Sequence, residues 1–137
     1  MRQLGLFKGA RQRGEKPPPP LEFHEHCLLA DAIKRSLMPG WRATHLPFGE
    51  YRNKATAIRL HRMGTGRGWP DQMFLGPDKQ LVFLELKRVG GRVAPEQGEI
   101  HDHIRSCGFE VSVAFGGAHA IEILQRRGIL TSKLRVV

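Results

Sequence analysis

The stretch LVFLELK, residues 81–87, constrains this chain more than any other. Its apolar residues ask for a buried strand, yet Glu85 and Lys87 interrupt them. Alternate residues of a strand share a face, so the carboxylate and the ammonium fall on one side. Burying either alone is costly even after the surroundings relax. The plain explanation is an edge strand with one wet face, or a local Glu85–Lys87 ion pair. A second acid argues for more. Asp71 follows Pro70 and opens the preceding apolar run, QMFL, which GPDK separates from LVFLELK. A short turn between short apolar runs is a hairpin signature, so the Asp71 carboxylate can approach Glu85 across the sheet. Two converging carboxylates repel unless a cation lies between them. Hard oxygen donors suit Mg2+ or Mn2+, with waters filling most of the octahedron. Lys87 would then lie beside the metal, where its ammonium could hold an attacking water and offset phosphate charge. In outline this is a hydrolytic phosphodiester site. Asp78 repeats the Pro-Asp pair but sits in the turn, where that pair is ordinary turn chemistry, and is not expected to be a ligand.

The rest of the chain supplies a frame for that hairpin. Residues 1–20 read as a basic, flexible tail, with Arg2, Lys8, Arg11, Arg13 and Lys16 followed by a stiff PPPP spacer. Residues 21–137 read as one domain. In LEFHEHCLLADAIKRSLMPG the spacing of Phe23, Cys27, Ala30, Ile33 and Leu37 predicts a helix ended by Pro39-Gly40. A strand is expected at 41–46. A second helix is expected in YRNKATAIRLHRM, with Ala55, Ile58 and Met63 on one side, then a GTGRG connector. Beyond the hairpin, APEQGEIHDHIRSCG predicts a helix with Pro95 near its start and Gly108 just past its end. EVSVAF predicts a strand, about 119–127 a last helix capped by Gly128, and ILTSKLRVV a terminal strand. The fold class is α/β, a mixed β-sheet flanked by helices in the order α-β-α-β-β-α-β-α. The connection from LVFLELK to EVSVAF should be a parallel, right-handed crossover.

Composition bounds the partners. The 137 residues carry 22 Lys+Arg against 13 Asp+Glu, a net charge of +9 and a pI near 10.4. A polyanion is the natural partner, because neutralising phosphates releases counterions. No apolar run approaches the roughly 20 residues of a membrane helix. The N-terminus lacks the apolar core of a secretory signal, so a cytoplasmic setting is expected. Cys27 and Cys107 form no CxxC pair and read as reduced core residues.

GWPD at 68–71, FLELKR at 83–88 and PEQ at 95–97 resemble the PD-(D/E)XK nuclease superfamily. Within it they are similar to the VRR-NUC family, the virus-type replication-repair nucleases. The resemblance runs over most of the chain beyond the tail, including THLPFGEYR and the GIL near the end. It implies a restriction-endonuclease-like core and a metal-dependent DNA nuclease leaving 5′-phosphates. Carried over by residue, it makes Asp71 and Glu85 the metal-binding acids, with the Leu86 backbone carbonyl as a further ligand. Lys87 would orient or activate the water, and Gln97 would position water or phosphate. The family also uses an acid on the first helix. Glu22 and Glu25 are both available there; the spacing to His26 and Asp31 favours Glu22, and a solvated face remains the plain reading of either. Phage and bacterial members of this size imply a homodimer acting on branched DNA, either a junction or a flap.

Other residues have plainer readings beside the functional ones. Arg52, Arg67, Arg88 and Arg92 cluster near the motif as candidate phosphate contacts, though solvated arginine is the default for each. The pairs His24/His26 and His101/His103 are two apart, so on helices they diverge and make poor zinc sites. His45 could face substrate, with a structural role as the plainer reading. GTGRG lacks the GKS or GKT ending of a P-loop. Two rivals to a nuclease stand: a non-catalytic basic nucleic-acid-binding module, and a subunit active only on a helicase or recombination partner. The presence of Asp71, Glu85, Lys87 and Gln97 together argues against a decayed site.

Overall fold

The oily strand lies inside a sheet. In the computed structural model, which describes residues 20–47 and 53–132, the elements are α1 (Pro20–Ser36), β1 (Arg42–His45), α2 (Lys54–Arg62), β2 (Gln72–Gly76), β3 (Gln80–Lys87), α3 (Pro95–Ser106), β4 (Glu110–Phe115) and α4 (Gly117–Arg127). Their order is the expected one. The strands form one sheet, β1-β2-β3-β4. β2 pairs antiparallel with β1 and with β3, and β4 pairs parallel to β3 after the α3 crossover. The hairpin turn places Asp78 and Lys79 at positive φ, 57° and 62°, and the Gln80 N–H donates to the Pro77 carbonyl at 3.3 Å. Asp78 is thus a turn residue, since a primed turn needs positive φ at both central positions.

Strand alternation divides the interior. On one face Phe74, Val82, Leu84, Leu86 and Ala114 pack beneath Leu29 and Ala32 of α1 and Ala120, Ile121 and Leu124 of α4, with Ile129 and Leu130 closing the end. On the other, Phe83 and Val111 pack against Ile104 of α3. Each large apolar side chain taken wholly from water contributes about 1.5–3 kcal/mol. The larger face therefore anchors the fold, and Glu85 and Lys87 open onto the smaller one.

Four expectations need correction. The buried residues of α1 are Leu29, Ala32 and Ser36; of the expected stripe Ile33 and Leu37 do pack against the core, whereas Phe23 is 69% exposed and Ala30 lies in solvent. The Leu28-Leu29 doublet permits two registers of the helix, and the small Ala32 and Ser36 let α1 approach its neighbours closely. The helix is therefore turned by one residue from the Phe23–Cys27–Ala30 face. α2 forms, with the Asn53 side chain accepting the Thr56 N–H at 2.8 Å, but buries none of its residues. Ile58 and Met63 are 55% and 74% exposed, because α1, α4 and α3 already cover both faces of the sheet. Cys107 is exposed rather than core: it caps α3, where Ile104 makes the apolar contact, while Cys27 is half-buried, and both thiols are free. Of the expected terminal strand, Leu130 makes only an isolated bridge to Leu37, and residues 133–137 lie outside the described residues.

One glycine fixes how α3 meets the loop before β2. Gly68 has φ +83°, and a Cβ there would stand 2.5 Å from the Glu96 carbonyl oxygen. Gly64 has φ +94° with nothing within 4 Å of its would-be Cβ. Gly64→Ala should lose about 1 kcal/mol from backbone strain alone. Gly68→Ala should lose roughly a further 1–3 kcal/mol, because backbone must move to admit the methyl. Urea unfolding of the two variants measures the difference.

Candidate active site

The β2–β3 register assembles the site. Gln72 pairs with Leu84, so Asp71, one residue before β2, stands opposite Glu85. β3 continues past the start of β2, leaving Leu86 with no strand partner on that side. The Asp71 carboxylate takes the place of one, accepting the Leu86 N–H at 3.2 and 3.3 Å. The N–H and C=O of one strand residue point to the same neighbour, so the Leu86 carbonyl faces this edge as well. Glu85 is 3% exposed. Its Oε1 lies 3.6 Å from Lys87 Nζ and accepts a hydrogen bond from Gln97 Nε2 at 2.8 Å. Gln97 sits in the first turn of α3, and its Oε1 accepts the Ala94 N–H at 2.9 Å. That bond orients the carboxamide, so its NH2 must face the acid. Gln97 thus touches Glu85 directly.

The first-helix acids divide. Glu25 Oε2 accepts the N–H of Gly117, capping α4, whose own N-cap Gly116 has no side chain to do so. Glu22, three residues earlier, is half-buried, and its charge acts on both Asp71 and Glu85. Arg67, Arg88 and Arg92 are exposed in the segments flanking these acids, and Arg52 lies outside the described residues.

Burial and mutual repulsion dominate the electrostatics. Asp71 is pushed up to about 8, first by burial and then by the Glu85 charge, with the Leu86 N–H opposing. Glu85 is also raised, by burial first, while Lys87 pulls it down. Lys87 alone does not offset three acids that feel one another. Glu85 Oε2 is buried without a hydrogen-bond partner, so it keeps lone pairs to give. Among the described residues no three His, Cys, Asp or Glu side chains form a ready ligand cage. Hard cations such as Mg2+ need none, since one or two carboxylates with several retained waters hold them. The donor set fits such an ion.

Three histidines that the sequence left with plain readings lie around the acids. His26 Nε2 lies 3.8 Å from Asp71 Oδ2, and its ring meets that of His45 at 5.0 Å between centroids. His45 Nδ1 is 2.8 Å from the Asp71 carbonyl oxygen, and since a carbonyl only accepts, His45 donates from Nδ1. His101 is 2% exposed, with Nε2 3.9 Å from Glu85 Oε2. Burial pushes its pKa down, and the Arg105 and Lys87 charges add to this while Asp102 opposes it. The HxH pairs do diverge, as expected: His24 and His103 are exposed. The informative spacing was four, from Glu22 to His26 and from Gln97 to His101, which puts each pair on one helix face.

The same architecture occurs in solved structures. A protein described as a VRR_NUC domain protein superposes with a TM-score of 0.63 at 23% identity, over 77% of this chain and 86% of the other. A second, described as a VRR_NUC domain, gives 0.53 at 19% identity, over 77% and 94%. The chain has the VRR_NUC fold. No family model matches the sequence, and no curated protein matches it. The expected mixed sheet flanked by helices is this fold, with the two acids at the end of its hairpin. No helix among the described residues is long and apolar enough to cross a membrane.

The raised carboxylates make the metal-free protein sensitive to pH. Asp71 titrates from 3.8 unfolded to about 8 folded, so across that window the folded chain holds a proton that the unfolded chain has released. Stability therefore falls as pH rises from about 4 to about 8. Urea unfolding in EDTA at pH 5, 6.5 and 8 should show this decline, and Asp71→Asn should flatten it. Adding Mn2+ at pH 8 should restore wild-type stability and leave Asp71→Asn little changed.

Proposed function

We propose that this domain is a Mg2+- or Mn2+-dependent deoxyribonuclease that hydrolyses phosphodiester bonds. The observation that carries the reading is the meeting of Asp71, Glu85 and Lys87 at one end of β3, with the VRR_NUC fold in support. Asp71, Glu85, the Leu86 carbonyl and Glu22 would hold the ion. Bound there, it would supply Lewis acidity toward the phosphate and acidify a coordinated water. Gln97 holds Glu85 in place. The Lys87 ammonium donates a hydrogen bond to the water as it adds to phosphorus in line with the leaving 3′-oxygen. Charge that develops on the non-bridging oxygens is offset by the same ammonium. The P–O3′ bond breaks, the 3′-oxygen takes a proton from solvent to become a hydroxyl, and the attacking water gives up its proton to solvent, leaving a 5′-phosphate.

Basic groups around this edge suit DNA. α2 carries Lys54, Arg59 and Arg62 with no acid in its first turn and no residue buried. Its chain leaves the sheet after β1 and returns at Asp71, at the same end as the acids. Together with Arg67, Arg88, Arg92 and the net charge of +9, it forms a surface that phosphates would neutralise. A homodimer would present two such sites to two strands, which suits branched DNA, a junction or a flap, in replication or repair.

Labelled branched, flapped and linear DNA incubated with Mg2+, Mn2+ or EDTA tests the reading. Cleavage should vanish in EDTA and drop at least about a hundredfold in Lys87→Ala. Cleavage that persists in EDTA would sink the metal mechanism. Tight binding without cutting would favour a non-catalytic module, and activity that needs a helicase or recombination partner would favour a dependent subunit. For binding alone, Arg59→Ala combined with Arg62→Ala should lower the slope of log affinity against log salt by about 2 on duplex DNA. An unchanged slope would remove α2 from the DNA surface.

A further inference from the structure

Four polar or charged side chains are buried among the described residues, Ser36, Gln72, Glu85 and His101. The last two face each other. His101 Nε2 and Glu85 Oε2 lie 3.9 Å apart, and neither atom has a hydrogen-bond partner. A buried polar atom left without a hydrogen bond is destabilising. The gap exceeds an N–H···O bond by only about 1 Å, so a small rotation of the carboxylate closes it. A neutral imidazole has one N–H, and Nε2 is the nitrogen turned toward the acid. The other oxygen of Glu85 already accepts from Gln97 at 2.8 Å. Gln97 and His101 are four residues apart on α3, so both donors come from one face of a rigid element.

We propose that His101 is a positioning residue for the metal site: with Gln97 it grips the two oxygens of Glu85 from the α3 side, fixing how the carboxylate meets the cation. His101 touches neither the ion nor the substrate. The small rotation that closes the gap would set the carboxylate in one orientation for its ligand role. Outer partners of metal-binding groups act in this way, holding a ligand in orientation so that binding carries less ordering cost. This inference rests on the metal-site reading above.

Mn2+ uptake by the metal-free full chain, followed by electron paramagnetic resonance, separates the two ideas. Methionine and glutamine are matched in length, and only glutamine offers an N–H near the position of Nε2. His101→Met should weaken Mn2+ binding about ten- to a hundredfold, while His101→Gln should stay within about threefold of wild type. The metal-free melting temperature of His101→Met should equal or exceed that of wild type, since an unpaired buried nitrogen has gone. If His101→Met binds Mn2+ like wild type, or no worse than His101→Gln, the inference is overturned. Loss of the metal-free fold in His101→Met overturns it too, because the role would then be structural. A wild type that takes up no Mn2+ overturns the metal reading itself, and this inference with it.

Discussion

The pairing of β2 with β3 holds the site together. Gln72 opposite Leu84 brings Asp71 opposite Glu85, and the Asp71 carboxylate then closes the open ladder position at Leu86. Strand side chains alternate, so a slip of one residue would send Glu85 and Lys87 into the α1–α4 core. The apolar set Val82, Leu84 and Leu86 prevents that slip, because it is fully accommodated only on the larger face. A packing preference on one side of the sheet thus fixes polar geometry on the other.

That division of labour explains how the fold tolerates an ill-satisfied cluster of acids. Asp71 and Glu85 are both held above their ordinary range by burial, and Glu85 and His101 leave polar atoms unpaired. Such features lower stability, and proteins retain them where chemistry requires them. Here they sit over the smaller apolar cluster, Phe83, Val111 and Ile104, while Leu29, Phe74, Leu84, Leu86 and Leu124 anchor the opposite face. Glu25 adds a structural link, since its bond to Gly117 ties α1 to the start of α4 one helical turn from Glu22.

Much of this was legible in the sequence, and the reasons differ by residue. The hairpin was readable because Pro77-Asp78 is strong turn chemistry between two apolar runs, and Asp71, Glu85 and Lys87 followed from strand alternation. α3 and α4 were readable from Pro95, Gly108 and Gly128, whose backbone preferences act locally. The rotation of α1 was not, because the Leu28-Leu29 doublet fits two faces and only the packing partners choose between them. The exposure of α2 was hidden for a related reason: Ile58 and Met63 look like core until both faces of the sheet are seen to be covered. The contacts of His26, His45 and His101 with the acids were hidden because they are made across elements far apart in sequence. For Gln97 the position was readable from the motif, but its bond to Glu85 depends on the Ala94 N–H that turns its carboxamide.

α2 leaves the sheet beside the acids and returns beside them, yet gives nothing to the core. Substitutions along it are therefore nearly free of folding constraint. The turn at Pro77–Gln80 is equally exposed but belongs to the far end of the hairpin. Evolutionary drift in this architecture should accordingly be unequal: α2 can change freely, while Gly68, Pro70 and the hairpin that carries the acids stay as they are.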